Sequence, residues 1–435
     1  MISDEEQPWE VRISMPEIEH SDFIREKRAK LESALQEARE EESGTYQRAK
    51  PLIQRVPPAL MSDVKKDFKK YFEPRQVAIG PLHHGNPKFE QAEHTKLKLA
   101  ALFADKNKTR GEFLFIKIKE EIKDLRKCYN PEDIKDYDDD ELAWMFFVDG
   151  CAVLYALYYV LGENQLPYRV LKILISLAKE PRKWEQLITE FIGYSLITDI
   201  RDGKSRHTDE EGKQEYTHLL EHLRKKLLTG CRAKSNSSMI GGLLLSCGDN
   251  QKHTKTFRSI KDLKGTGIHV TPSESNSLKN ISFYCNLLGS LKMPRILVDD
   301  STAAMFLNLV ALEMCGNFEN DLGVTTYLCF LSSLIDTAED VKELRVTGVL
   351  HNYFGSDEEV ANLFRRMGRD LVPDPLMYYD VIENIHRYCN SPVIWFYFNY
   401  SNYFGRNWSF LAFLGAIVGL GLTIIQTYFA VNPKK

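Results

Sequence analysis

Residues 141–160 read ELAWMFFVDGCAVLYALYYV, and the placement of this run decides the fold. It is nearly apolar enough to be taken for a membrane span. Asp149 at its midpoint argues otherwise, because a carboxylate at the centre of a bilayer costs about 2.5 kcal/mol or more even on insertion scales. A helix inside a protein core needs only a partner for that carboxylate. The run from Leu142 to Leu161 therefore reads as a central core helix. Asp138, Asp139, Asp140 and Glu141 stand at its start, where carboxylates cap free N–H groups and oppose the positive end of the dipole. A divalent-metal reading of these acids lacks the turn glycine and twelfth-position glutamate of an EF-hand.

Outward from this helix the chain is mostly helical. Residues 112–128 form an amphipathic helix that Asn130-Pro131 stops, and Tyr168 to Lys179 a further one that Pro181 ends. Upstream, Val77-Ala78-Ile79 reads as a short buried strand, followed by a tight turn between Gly80-Pro81 and Gly85-Asn86-Pro87. The turn carries His83 and His84. A helix then begins at Phe89, with Ala92, Leu97, Ala100, Ala101 and Phe103 as its apolar positions. Residues 17–43 make a charged, solvent-exposed helix with a narrow stripe of Ile24, Leu31, Leu35 and Ala38.

Downstream, residues 200–255 are polar and variable in character, apart from a helix over 217–229. GIHVTPS, NISFYCN and SLKMPRILVDD, within 267–300, are short β-branched or alternating runs separated by turn residues. They predict a small antiparallel sheet. Asp300 or Ser301 caps a helix running to Cys315, Thr325 to Leu344 is helical, and Ser356 with Glu359 forms a capping box. Residues 376–404 form an aromatic-rich helix. The fold class is mainly α with a small antiparallel β-sheet. Its units are a charged N-terminal helix and linker (1–54), one helical domain (55–404) with a variable loop at 200–255 and a sheet at 267–298, and a C-terminal span.

That span is WSFLAFLGAIVGLGLTIIQTYFAV, Trp408 to Val431, which contains no charged residue. As a helix it would reach roughly 36 Å, against a hydrocarbon core of ~30 Å. It is read as a transmembrane anchor contacting lipid through residues 408–431. The acidic start MISDEEQPWEVRIS has no apolar h-region, and the eight cysteines include no CxxC pair. Together they predict a single-pass, tail-anchored protein of the plasma membrane or an endomembrane with a cytosolic body. Gly415 and Gly419 form a GxxxG pair, a candidate homodimer contact.

Net charge of −4 over 435 residues argues against a nucleic-acid partner, which calls for a strongly basic face. The chain offers no GxSxG, P-loop, HExxH or dinucleotide-binding fingerprint. His83 and His84 with His94 could suggest metal ligands, but adjacent histidines in a turn seldom converge on one ion. Asp299 and Asp300 resemble a catalytic acid pair, but a helix starts there and needs a cap. No catalytic residue, cofactor or metal is assigned, and the chain is not read as an enzyme.

Several motifs, in order, resemble the plant-specific domain of unknown function family numbered 247. They are IGPLHHG (Gly80, Pro81, His83, His84, Gly85), the Asp149-Gly150-Cys151 centre of the apolar helix, and ENQLP (Glu163, Asn164, Gln165, Pro167). LKMPRILVDDSTAAMFLNLVALEMC follows, with Pro294, Asp299 and Asp300, and then LIDTAEDVKELRVTGVLHNYFGSDEEVANLF with Asn352. The match runs from about residue 55 to the end, with Gly162 a departure and the region 182–255 matching poorly. The family has no assigned catalytic activity, and some members are implicated in pollen recognition in self-incompatibility. The resemblance thus implies a membrane-tethered interaction or recognition module with an unidentified protein partner. The alternative is an enzyme using the His83/His84 turn and Asp299/Asp300.

Overall fold

The computed structural model describes residues 22–42, 53–61, 69–156, 165–195, 216–229, 259–285, 288–315, 321–391 and 409–431. The chain divides into two units, Met1–Lys50 and Pro51–Lys435. The first holds one helix, Asp22–Glu42. Glu26 with Lys30 and Arg28 with Glu32 pair one turn apart on it, and Leu31 and Leu35 are exposed.

In the second unit the central apolar run is the helix Asp139–Ala156, with residues 157–164 outside the described residues. Asp138 starts it as expected. Its Oδ1 accepts from the Asp140 and Glu141 N–H groups at 2.8 Å each, and Glu141 Oε2 accepts from Asp138 N–H. The two arms satisfy donors that a helix start otherwise leaves open. Leu142, Ala143, Phe146, Cys151 and Leu154 are buried among the helices Glu90–Lys106, Gly111–Glu120 and Tyr168–Ser176. The helix 112–128 of the sequence reading is two pieces, Gly111–Glu120 and Ile122–Arg126.

Thr302–Glu313 is the second core helix, buried at every position. A helix apolar all round has to lie inside, and this one packs against Gly323–Leu334, Leu219–Leu228 and Asp357–Met367. The predicted helix from Thr325 to Leu344 breaks at Ile335–Thr337. Asp340 Oδ2 accepts from Thr337 N–H and its Oδ1 from Lys261 N–H, so a new cap begins Ala338–Val346. Both arms of the Ser356/Glu359 capping box form. The aromatic-rich helix is Tyr379–Cys389, with 392–408 outside the described residues.

The fold is mostly helical with small sheets, and two points of the expected fold class are corrected. The first is the sheet. β1 (Ile268–Pro272), β2 (Ser282–Cys285) and β3 (Gly289–Met293) lie in the order β1-β3-β2. β2 and β3 are antiparallel, but β1 runs parallel to β3. β4 (Ile296–Val298) leaves this sheet to pair in parallel with β5 (Leu350–Asn352), which the sequence reading left out of the sheet. Long connections allow parallel pairing, and the short alternating runs carry no information on direction.

The second is the C-terminus. Ser409–Val431 is helical, and its described side chains, 412–428, are exposed except for Gly421. Among the described residues no helix is long and apolar enough to cross a membrane. The transmembrane, tail-anchored assignment and the location built on it are therefore withdrawn. Trp408 lies outside the described residues, as does the Val431 side chain. Nothing stands within 4 Å of a Cβ built on Gly415 or Gly419.

Candidate functional site

The segment Val77–Ile79 is not a strand. The Ala78 carbonyl goes to a side chain instead of to a neighbouring strand. Lys96, on the helix Glu90–Lys106, donates to Ala78 O at 2.8 Å and to Asp149 Oδ1 at 2.5 Å, and pairs with Glu93 Oε1 at 2.7 Å. Two of the three ammonium donors are hydrogen-bonded, and the Glu93 carboxylate adds an ion pair. Asp149 Oδ2 accepts from the Gly80 N–H at 2.7 Å. Both charged groups are almost fully buried, Lys96 at 2% and Asp149 at 1% exposure. Burial raises the Asp149 carboxyl above its ordinary value, and the neighbouring Lys96 ammonium pulls it back only in part.

Gly80 is the point where three motifs meet. Its φ is +74°, and a Cβ there would stand 2.4 Å from the Gln165 carbonyl oxygen and 3.1 Å from Tyr129 Oη. That carbonyl already accepts from Tyr129 Oη at 2.9 Å. The loop, the central helix and the ENQLP segment are thus locked together at one residue without a side chain. Gly80→Ala combines left-handed strain with a backbone clash and is expected to cost about 2–4 kcal/mol. A urea-midpoint measurement checks it, and an unchanged midpoint would show that the loop is not held as described.

Gly150 serves the same hub, since a Cβ on it would meet Leu174 and Val170 within 3 Å. Pro167 leads into their helix. Pro81 is buried. Beyond it the loop surfaces: His83 and His84 are half-buried and Gly85 is exposed with φ +77°. His84 Nδ1 stands 3.8 Å from Glu93 Oε2, and its ring meets Tyr137 edge-on. Glu163 and Asn164 lie outside the described residues.

Asp299, Asp300, Pro294 and Asn352 belong to a second cluster, around the β4–β5 pair. Asp299 Oδ1 accepts from Ser301 N–H, Ser301 Oγ and Thr302 Oγ1, folding the turn before the helix Thr302–Glu313, whose N-cap Ser301 makes no side-chain cap bond, contrary to the expected cap. Asn352, register partner of Val298, accepts from Phe354 N–H and donates to Gly355 O, folding the turn after β5. Pro294 is buried between β3 and β4, and Asp300 is exposed. Among the described residues no group of three His, Cys, Asp or Glu is placed to hold a metal.

A family described as plant protein of unknown function, DUF247, matches residues 53–422. The chain belongs to this family. UPF0481 protein At3g47200 of Arabidopsis thaliana is 26% identical over 432 residues, covering 88% of this chain and 87% of the relative. Putative UPF0481 protein At3g02645 of the same plant is 29% identical over 182 residues, 40% of this chain and 33% of the relative. No solved structure matches the chain.

In this DUF247 chain two residues of the hub escaped the sequence reading. Lys96 is one, although it left a signal: with Ala92, Ala100 and Phe103 it occupies the buried stripe of its helix, where a lysine is out of place. Leu97, assigned to that stripe, is 46% exposed. Tyr129 is the other, and nothing local marks it.

The central helix also has an outer side. Trp144 lies about 140° around the helix from Asp149 and is 49% exposed, while Phe113 and Ile116 on the packed helix Gly111–Glu120 are 44% and 49% exposed. Phe115 meets the Trp144 ring at 5.9 Å between centroids, and Lys119 pairs with Asp140 one turn earlier. The buried ion pair therefore fixes, from within, the helix that holds this aromatic group outward.

Proposed function

We propose that this DUF247 protein is an interaction module that docks a protein partner on the face formed by Gly111–Glu120 and Asp139–Ala156. The observation that carries the reading is Trp144, half exposed on the central helix, with Phe113 and Ile116 exposed on the helix packed against it, both held rigid from behind. Exposed aromatic groups on a rigid scaffold are the usual anchors of protein interfaces. The reading is in keeping with the pollen recognition in which some family members are implicated. The enzyme alternative is less well supported. Its Asp299 is hydrogen-bonded within the turn before Thr302–Glu313, and its His84 is turned against Glu93 and Tyr137.

The test is capture of partners from plant tissue with the full-length chain, comparing the native sequence with Trp144→Ala and Phe113→Ala. A partner that loses about 30-fold in affinity on Trp144→Ala, with thermal stability nearly unchanged, supports the reading. If the partner proves to be a second copy of the chain, the module is self-recognising. Capture that is indifferent to both substitutions would end the proposal for this face.

A further inference from the structure

Gln165, whose carbonyl abuts Gly80, also lines a cavity of about 30 Å³ together with His218, Asn308, Ala311, Leu312 and Cys315. Gln54 and Arg55, both part-exposed, stand at its rim. Three buried polar side chains from three parts of the chain meet here. Gln165 is 2% exposed, and neither Oε1 nor Nε2 has a hydrogen-bond partner. Asn308 is 1% exposed; its Nδ2 donates to Tyr71 O and Ala304 O, while its Oδ1 has no partner. His218 is 3% exposed and its Nδ1 accepts from the Glu221 N–H at 3.2 Å. Burial pushes this imidazole down to about 4, so at neutral pH it is uncharged and its proton sits on Nε2.

A buried side-chain amide with both ends unmade is destabilising, and methionine would fill the same space without that cost. The group is therefore accounted for if something pairs with it. The three buried polar side chains are uncharged, which disfavours an ionic ligand that would have to shed its water. The volume is roughly twice what one water needs, room for two water-sized groups such as the oxygen and nitrogen of one carboxamide. A primary carboxamide fits these requirements, since it returns an N–H to Gln165 Oε1 and a C=O to Nε2 in one two-bond pair.

We propose that this cavity binds a primary carboxamide, with Gln165 as its bidentate partner and Asn308 and His218 as further acceptor and donor. The carboxamide comes either from a free small amide or from an Asn or Gln side chain of a bound segment. This inference does not depend on the Trp144 face.

The test is saturation-transfer NMR on the full-length chain with two probes, acetamide and the peptide Ala-Ala-Gln-Ala-Ala, with Ala-Ala-Met-Ala-Ala as control. Saturable binding of acetamide or of the Gln peptide is expected, weakened about tenfold or more by Gln165→Met. Ala311→Leu, which narrows the cavity from its apolar wall, should weaken it independently and carries the test if Gln165→Met does not fold. Acetamide binding without peptide binding identifies a free amide, and tighter binding of the Gln peptide identifies a partner side chain. If neither probe saturates, the cavity holds only water and the proposal is wrong. Binding that survives both substitutions would overturn it equally.

Discussion

Asp149→Ala is expected to destabilise the protein by about 3–5 kcal/mol, because it leaves Lys96 charged and buried without its closest partner. The Gly80 N–H loses its acceptor in the same step, so the loop carrying the His pair should loosen together with the fold. The control is the double replacement of Lys96 by Met and Asp149 by Leu. With both charges gone, the Ala78 carbonyl, the Gly80 N–H and the part-exposed Glu93 carboxylate lose their partners, and the loss should shrink to about 1–3 kcal/mol. Chemical denaturation of the native chain and the two variants measures the difference. A double loss larger than the single loss would mean that the pair is not coupled, contrary to the 2.5 Å contact.

Glu313→Ala is the second large effect, also about 3–5 kcal/mol. The Glu313 side chain is fully buried and pairs with Arg224 Nε at 2.8 Å. Its two oxygens also accept from Val324 N–H, Thr325 N–H and Thr325 Oγ1, each at 2.8 Å. One carboxylate thus caps the start of Gly323–Leu334 from a different helix and ties both to Leu219–Leu228. Asp321 offers Arg224 a second carboxylate, but a half-exposed one. Glu313→Gln keeps the shape and part of the hydrogen bonding, so it should cost less than the alanine change. If both cost under about 1 kcal/mol by thermal or chemical denaturation, the cap contributes little.

Much of the architecture was legible because it depends on local chemistry. The apolar run with Asp149 at its centre could only be a core helix or a costly span. Asp138 and Ser356 each cap the helix that follows them, since an acceptor at a helix start reaches N–H groups two or three residues on. Errors arose where a local pattern has two readings. Val77-Ala78-Ile79 is buried and extended like a strand, yet Lys96 takes the Ala78 carbonyl. The alternating runs after residue 267 predicted strands, but β1 pairs in parallel and β4 finds β5 some fifty residues on.

The candidate site was legible only in part. Gly80, Asp149 and Gln165 were singled out through separate motifs, and their meeting was not foreseeable from any of them. His83/His84 and Asp299/Asp300, grouped in the enzyme alternative, fall into different clusters.

What the sequence determined by itself is the helical class, the helix starts and the central placement of Asp149, because propensity, capping and the cost of a misplaced charge act over a few residues. Only the tertiary structure decided which groups pair: Lys96 with Asp149, Arg224 with Glu313, Gly80 against Gln165, β4 with β5. Those contacts join residues tens of positions apart, and their energy depends on burial and geometry that no local pattern encodes.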